Sequence, residues 1–302
     1  MIQLGLFAAG VRLAEWLPAP LLYGWAKVVG ALLGALPLAP QRRLRHNLSV
    51  ALGRPPNDPL VRRCVRRATQ LHAGNYVDLF RSHVVPDEVV GRRFVQEGEG
   101  WAPFRETLAN GRGLVLVTAH FGRFELLSHY LGYLGYCVTL PVERLQPPAL
   151  FEFVCRLRAR PTFQLVPHDA ALRPALRALG RGEIVAFFAD WDPSGHSVEV
   201  EFFGRRAYLP GGPAYIARRA GAPLYVGVAV AAPNSDTHRA ILDPPVEVPH
   251  TGDLDADVRR ATQTIANRFE RHVRAHPDQW VMFHLIWPAG LDTTGQNRHD
   301  SA

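Results

Sequence analysis

Residues 113–134, GLVLVTAHFGRFELLSHYLGYL, decide the fold. Gly113–Thr118 is an unbroken apolar run too short for a helix and without polar alternation, which fits a strand buried on both faces. Phe121–Leu134 then carries a helical pattern. A buried strand running directly into a helix is the unit of a layered α/β sheet. His120 falls in the turn between them, at the carboxyl end of the strand, where ligand sites of such sheets form.

Downstream the alternation continues. Strands are expected at Tyr136–Pro141, Phe163–Val166 and Glu183–Ala189, separated by helices at Pro148–Arg160 and Ala170–Leu179. Val198–Phe203 and Pro223–Val230 read as further strands around a helix at Gly212–Ala220 that follows the LPGGP punctuation. Asp255–His276 is amphipathic, with Val258, Ala261, Ile265, Phe269 and Val273 on one stripe, and its expected partner is the closing segment Gln279–Trp287.

Upstream, the pattern is helical. Pro59–Ser82 reads as one long helix with Asp58 as N-cap, and the change to mixed α/β falls near Val85-Pro86-Asp87. The expected division is a helical region at 1–85, an α/β core at 86–290 and a disordered tail at 291–302. With 302 residues and 47% hydrophobic content the chain can bury a substantial core.

The formal charge of +7 is concentrated. Gln41–Gln70 holds eight arginines against a single acid, Asp58, which accounts for the whole excess; Lys27 is the only lysine. Such a patch attracts phosphates. The segment lacks the interleaved aromatics or recognition motif of a nucleic-acid binder, so nucleic acid is not an expected partner. Just before it lies the apolar stretch Leu17–Pro40, with Trp16, Tyr23 and Trp25 near one end. Lys27 and Pro37 interrupt it, so it reads as a helix lying on or embedded in a lipid surface and not as a bilayer span. A core helix of a soluble domain followed by a solvated arginine face is the other reading. No positive charge precedes the apolar residues Ile2–Gly10, which argues against a secretory signal. Three cysteines without a CxxC pair argue against a disulfide framework or a structural zinc, and Cys137 and Cys155 are expected to be buried packing residues.

Histidine followed five positions later by an acid occurs five times, at His83/Glu88, His120/Glu125, His196/Glu201, His238/Asp243 and His250/Asp255. Chance alone supplies about one, so context must choose. Only His120 follows a buried strand and precedes a helix. A carboxylate on one imidazole nitrogen would fix the tautomer and stabilise the imidazolium formed when the other nitrogen takes a proton, and Glu125 is the expected partner. Gly122 is expected to leave room for a substrate. A structural histidine capping the helix is the alternative. No Gly-x-Ser-x-Gly elbow supplies an acyl-serine nucleophile.

The segments VTAHFGRFELL (117–127), DWDPSGHSVEVEFFGRRAYLPGGPAYIARRAGAPLYV (190–226) and PDQWVMFHLIW (277–287) resemble, in order and spacing, the bacterial lipid A biosynthesis acyltransferases. The resemblance runs from the N-terminal apolar helix to Trp287. It implies a glycerol-3-phosphate acyltransferase-like α/β fold with flanking helices and a helical N-terminal membrane-docking region, on the cytoplasmic face of the inner membrane. It also implies an O-acyltransferase with His120 as base and Glu125 beside it, using acyl-CoA or acyl carrier protein as donor and a glycolipid as acceptor, without a cofactor.

Glu199, in VEVEFFG, makes the chain look closer to phosphatidylinositol mannoside acyltransferases and is implied as a relay partner of His120; a solvent-facing strand residue is the alternative. Arg160 is implied to hold the acyl carbonyl or a phosphate, although the glycine usual a few residues later is absent from RPTFQLV, so Arg156 and Arg158 compete with it. Asp190 and Asp192 match the family's short acidic motif and are implied to support the site or bind an acceptor hydroxyl; a metal is the other chemical reading, for which two carboxylates without a histidine cluster are thin support. Arg205 is implied to meet donor or acceptor phosphates. Two other readings remain at this stage: a membrane-bound lipid-binding protein without catalysis, and an acyl thioesterase.

Overall fold

The computed structural model describes residues 2–192, 195, 197–232 and 235–287. The expected tail at 291–302 lies outside the described residues, as does His196. The chain opens with four helices, α1 (Ile2–Trp16), α2 (Ala19–Ala35), α3 (Ala39–Leu52) and α4 (Pro59–Arg81). Prolines punctuate them: Pro18 precedes α2, Pro37 lies between α2 and α3, and Pro40 occupies the first turn of α3. Asp58 caps α4 as expected, its carboxylate accepting from the Leu60 N–H at 2.7 Å.

α2 lies close along α4 because its glycines permit it. A Cβ on Gly30 would stand 2.6 Å from the Gln70 Cα. The other side of α2 has no protein against it: Trp25, Val28 and Leu32 are exposed, as are Leu6, Leu13 and Trp16 of α1. No single helix among the described residues is long and apolar enough to cross a membrane; α2 and α3 pass together by length and composition, bent by 77°.

Beyond α4 come α5 (Asp87–Gly91), β1 (Phe94–Glu97), α6 (Trp101–Ala109), β2 (Leu114–Thr118), a 3-10 turn at Phe124–Leu126, α7 (Leu127–Tyr133), β3 (Val138–Val142), α8 (Pro148–Arg158) and β4 (Phe163–Pro167). After a second 3-10 turn at His168–Ala170 follow α9 (Leu172–Gly180), β5 (Ile184–Phe188), β6 (Ser197–Phe202), β7 (Arg205–Pro210), α10 (Gly212–Ala220), β8 (Leu224–Ala231), β9 (His238–Leu242), α11 (Leu254–Ala275) and a last 3-10 turn at Pro277–Gln279. The seven-stranded sheet has the order β1-β9-β8-β2-β5-β3-β4 and is parallel except for the β8/β9 pair. β6 and β7 form a separate antiparallel hairpin. β1, β7 and β9, together with α6, had no counterpart in the sequence reading.

The apolar run of β2 fills both faces of the sheet, as a central parallel strand must. Val115 and Val117 point into the core shared with α3, α4, α10 and α11, while Leu114 faces the core made with α6 and α7. Leu44, Leu48, Val61 and Val65 belong to the first of these cores, so packing crosses the boundary drawn at residues 85–86, which marks only a change of element type. The α11 stripe from Val258 to Val273 is buried, and Ile265, Phe269 and Val273 share a core with Trp280, Met282, Ile286 and Trp287 of the closing segment.

Cys64 is buried, but Cys137 is exposed and Cys155 half-buried, contrary to expectation. Cys137 sits in the tight connection after α7, before β3 enters the sheet, where its apolar neighbours in sequence turn inward without it.

Candidate active site

β2 and β5 are parallel neighbours with Thr118 opposite Phe188, and the ladder continues one step as the Ala189 N–H donates to the Thr118 carbonyl at 3.0 Å. His120 and Asp190 therefore leave the sheet side by side, each two residues past its strand. Asp190 is fully buried. Three donors converge on its two oxygens: His120 Nδ1 at 2.8 Å, the His120 backbone N–H at 2.9 Å and Trp280 Nε1 at 3.1 Å. A carboxylate so surrounded acts as acceptor, which puts the hydrogen on Nδ1 and leaves Nε2 as the lone-pair nitrogen of the neutral ring. Phe188 stacks on the ring with centroids 4.6 Å apart and Phe124 meets it edge-on at 5.3 Å, so its orientation is held on three sides.

The turn that carries His120 is clamped by the closing segment. The Gly122 N–H donates to the Gln279 carbonyl at 2.7 Å, the Val281 N–H to the His120 carbonyl at 2.8 Å, and Asn75 Nδ2 to the Gly122 carbonyl at 2.9 Å. Gly122 has φ +57°, and a Cβ there would collide with the Ala229 carbonyl oxygen. Its role is to let two backbones approach, not to admit a substrate. Gly122→Ala is expected to destabilise the fold by about 2–4 kcal/mol, read as a lowered urea midpoint, because the strain and the collision add.

Glu125 is not the partner of His120. It lies in the 3-10 turn after His120 and takes a bidentate contact from Arg158, with Nε at 3.1 Å and Nη2 as the second donor. Burial works against the Arg158 charge, but the Glu125 carboxylate outweighs it and holds the guanidinium protonated. Both residues line the cavity into which His120 opens. The spacing of five leaves Glu125 one turn further on and facing α8, while the adjacent strand already supplies His120 with a carboxylate.

Glu199 does not reach this site either. Along β6, Val200 and Phe202 turn inward and Glu199 and Glu201 outward, the alternation of any strand with one solvent face. Glu199 is half exposed, pairs with Arg206 at 3.2 Å, and lines a separate shallow groove with Arg205. Arg160 is turned away as well: it donates to Asp87 at 2.9 Å and to the Ser82 carbonyl at 2.7 Å, and it contacts His129, fastening the end of α4 to α5 and α7. Burial, reinforced by the Arg160 charge, pushes His129 down to about 4. Of the competing arginines, Arg158 lines the cavity. Asp192 lines it too and accepts from Ser197 Oγ at 2.6 Å.

The cavity has a volume of about 1200 Å³, beyond the roughly 300–1,000 Å³ of ordinary small-molecule sites. Its walls are mostly apolar: Trp101, Tyr130, Leu131, Leu140 and Phe163 on the α6/α7 side, and Phe7, Leu79, Leu150 and Val154 where α1, α4 and α8 meet. Polar atoms cluster around His120. His72 and His284 line the same space, and burial first, then the proximity of His120, pushes each down to about 4. Both are neutral at ordinary pH. His72 Nδ1 and Asn75 Oδ1 are buried without a hydrogen-bond partner among the described residues, one helical turn apart on α4. Their side chains gave no signal in the sequence, since only packing of α4 on the strand-end turn brings them to the site. Among the described residues no group of three or more His, Cys, Asp or Glu side chains is arranged to hold a metal ion.

Sheet and site together give an α/β fold with a large, mostly apolar cavity at the carboxyl edge of its parallel strands. Comparison with known proteins says which kind. The model of the bacterial lipid A biosynthesis acyltransferase family matches residues 2–288, and the chain belongs to that family. It is an acyltransferase. Among its relatives are the phosphatidylinositol mannoside acyltransferase of Mycobacterium tuberculosis, 28% identical over 82% of this chain and 78% of the relative, and that of Mycolicibacterium smegmatis, 26% identical over 94% and 91%.

Proposed function

We propose that the chain moves a fatty acyl group from a thioester donor, acyl-CoA or acyl carrier protein, to a hydroxyl of a glycolipid, of phosphatidylinositol mannoside type in preference to a lipid A precursor. The observation that carries the reading is the His120–Asp190 pair at the polar end of a large apolar cavity. His120 Nε2 takes the proton of the acceptor hydroxyl as its oxygen attacks the thioester carbonyl. The carbon–sulfur bond breaks, and the imidazolium returns the proton to the departing thiolate. Asp190 keeps Nδ1 protonated and offsets the transient positive charge. The acyl chain occupies the apolar walls, where each buried methylene contributes about 0.8 kcal/mol. The acceptor class rests on the relatives' names, and the donor class on the basic segment, whose arginines suit a phosphate-bearing or acidic donor.

Docking on the cytoplasmic face of the inner membrane accounts for the apolar face of α1 and α2, where Trp16 is 87% and Trp25 67% exposed. Phe7 of α1 lines the cavity, so the helix that carries part of the apolar face also forms part of the cavity wall. The test is to incubate the purified chain with palmitoyl-CoA and vesicles of phosphatidylinositol with and without a mannosylated form, and to analyse the lipids by mass spectrometry. A palmitoylated mannolipid is the expected product. Release of free palmitate alone, at a rate indifferent to every glycolipid, would replace this reading with a thioesterase.

A further inference from the structure

The strand pair next to β2/β5 repeats the arrangement that brings His120 to Asp190. β3 and β4 are parallel with Val142 opposite Pro167, so Glu143 and His168 leave the sheet side by side at the same carboxyl edge. Both line the cavity. The residues that follow them, Arg144 and Asp169, pair with one another at 2.9 Å, which ties the two strand-end connections together. Glu143 makes no hydrogen bond or ion pair among the described residues, and His168 Nδ1 is buried without a partner. Glu143 is an exposed residue of the cavity wall whose carboxyl is raised by partial burial, and His168 and His120 oppose the rise, so it stands within electrostatic reach of both rings.

We propose that Glu143 and His168 form the subsite that holds neighbouring hydroxyls of the acceptor's polyol head while a further hydroxyl reaches His120. The inference rests on the acyl-transfer reading and names the part of the site that recognises the acceptor. A carboxylate accepts hydrogen bonds, and a neutral imidazole offers one donor and one acceptor, which is the set that a pair of adjacent hydroxyls satisfies. An acyl chain has no use for these atoms. A donor phosphate would be repelled by the Glu143 charge, so this wall serves the uncharged sugar and not the donor. A site built to hydrogen-bond hydroxyls also rejects an acceptor that lacks them, because its own polar groups would be left unpaired.

The variants are Glu143→Gln, at a loop position, and His168→Gln, at the start of a 3-10 turn, where the replacement keeps size and polarity, with thermal unfolding as the check on folding. Two readouts are taken: binding to phosphatidylinositol vesicles with and without a mannosylated form, and transfer from palmitoyl-CoA with the acceptor varied. Each variant is expected to raise the acceptor KM about tenfold or more, to lose most of the sugar-dependent part of vesicle binding, and to leave the KM for palmitoyl-CoA within about twofold. Sugar-dependent binding that is unchanged in both variants overturns the subsite, as does a loss shared equally by acceptor transfer and acceptor-free hydrolysis. If the wild-type chain shows sugar-dependent binding that the variants lose, yet transfers no acyl group, the subsite stands and the acyl-transfer reading falls.

Discussion

His120→Ala is expected to lower acyl transfer by about 10²–10⁴-fold, the usual contribution of a positioned general base, with little change in the KM for palmitoyl-CoA. On the proposed reading the donor's apolar tail lies against walls that the substitution does not touch, so the loss should fall on kcat. The variant also removes one of the three donors to the buried Asp190, leaving the residue-120 backbone N–H and Trp280 Nε1. A cost of about 1–3 kcal/mol in stability should accompany it, so unfolding must be measured beside turnover. His120→Gln separates the two effects: its amide can donate to Asp190, which restores part of the stability, but it cannot take a proton from a hydroxyl. Equal turnover by wild type and both variants would make His120 a structural residue and move the base elsewhere in the cavity. Loss of transfer together with retained thioester hydrolysis would confine His120 to activating the acceptor hydroxyl.

What the sequence disclosed about this site depended on the range of each interaction. The apolar run of β2 announces a central strand because it must be buried on both faces, and that alone placed His120 at a strand end. Its partner was not legible from spacing. Asp190 lies 70 positions away and becomes its neighbour through the β2/β5 register, whereas Glu125, close in sequence, turns to Arg158. The same holds for Glu143 and His168, which no motif joins and one register does. Glu199 shows the reverse case: the simple alternation Val198-Glu199-Val200 describes its position on the hairpin better than the resemblance did. The long helices α4 and α11 were readable from their own periodicity and caps, since helix formation and amphipathicity are local. β9 and β7 were not, because a short strand gains its identity from the strands it pairs with, β1 and β8 for β9 and β6 for β7.

Asp190→Asn is expected to reduce kcat by about 10²–10⁴-fold while leaving the acceptor and donor KM nearly unchanged. The argument is one of hydrogen-bond polarity. In the folded chain both carboxylate oxygens accept, one from Nδ1 and the other from the His120 backbone N–H and Trp280. An amide keeps only one accepting oxygen. The backbone N–H and the indole together claim it, so the NH₂ group is turned to the imidazole and Nδ1 must become the acceptor. The neutral ring then carries its hydrogen on Nε2, facing the cavity, and can no longer take a proton from the acceptor hydroxyl. Trp280→Phe is the control, since it removes one donor to Asp190 without touching the tautomer, and should cost no more than about tenfold. Losses of equal size in Asp190→Asn and Trp280→Phe would mean that Asp190 acts by holding the closing segment against the turn. A far larger loss in Asp190→Asn would mean that it acts through the imidazole, because the two substitutions weaken the same packing and differ in what they ask of Nδ1.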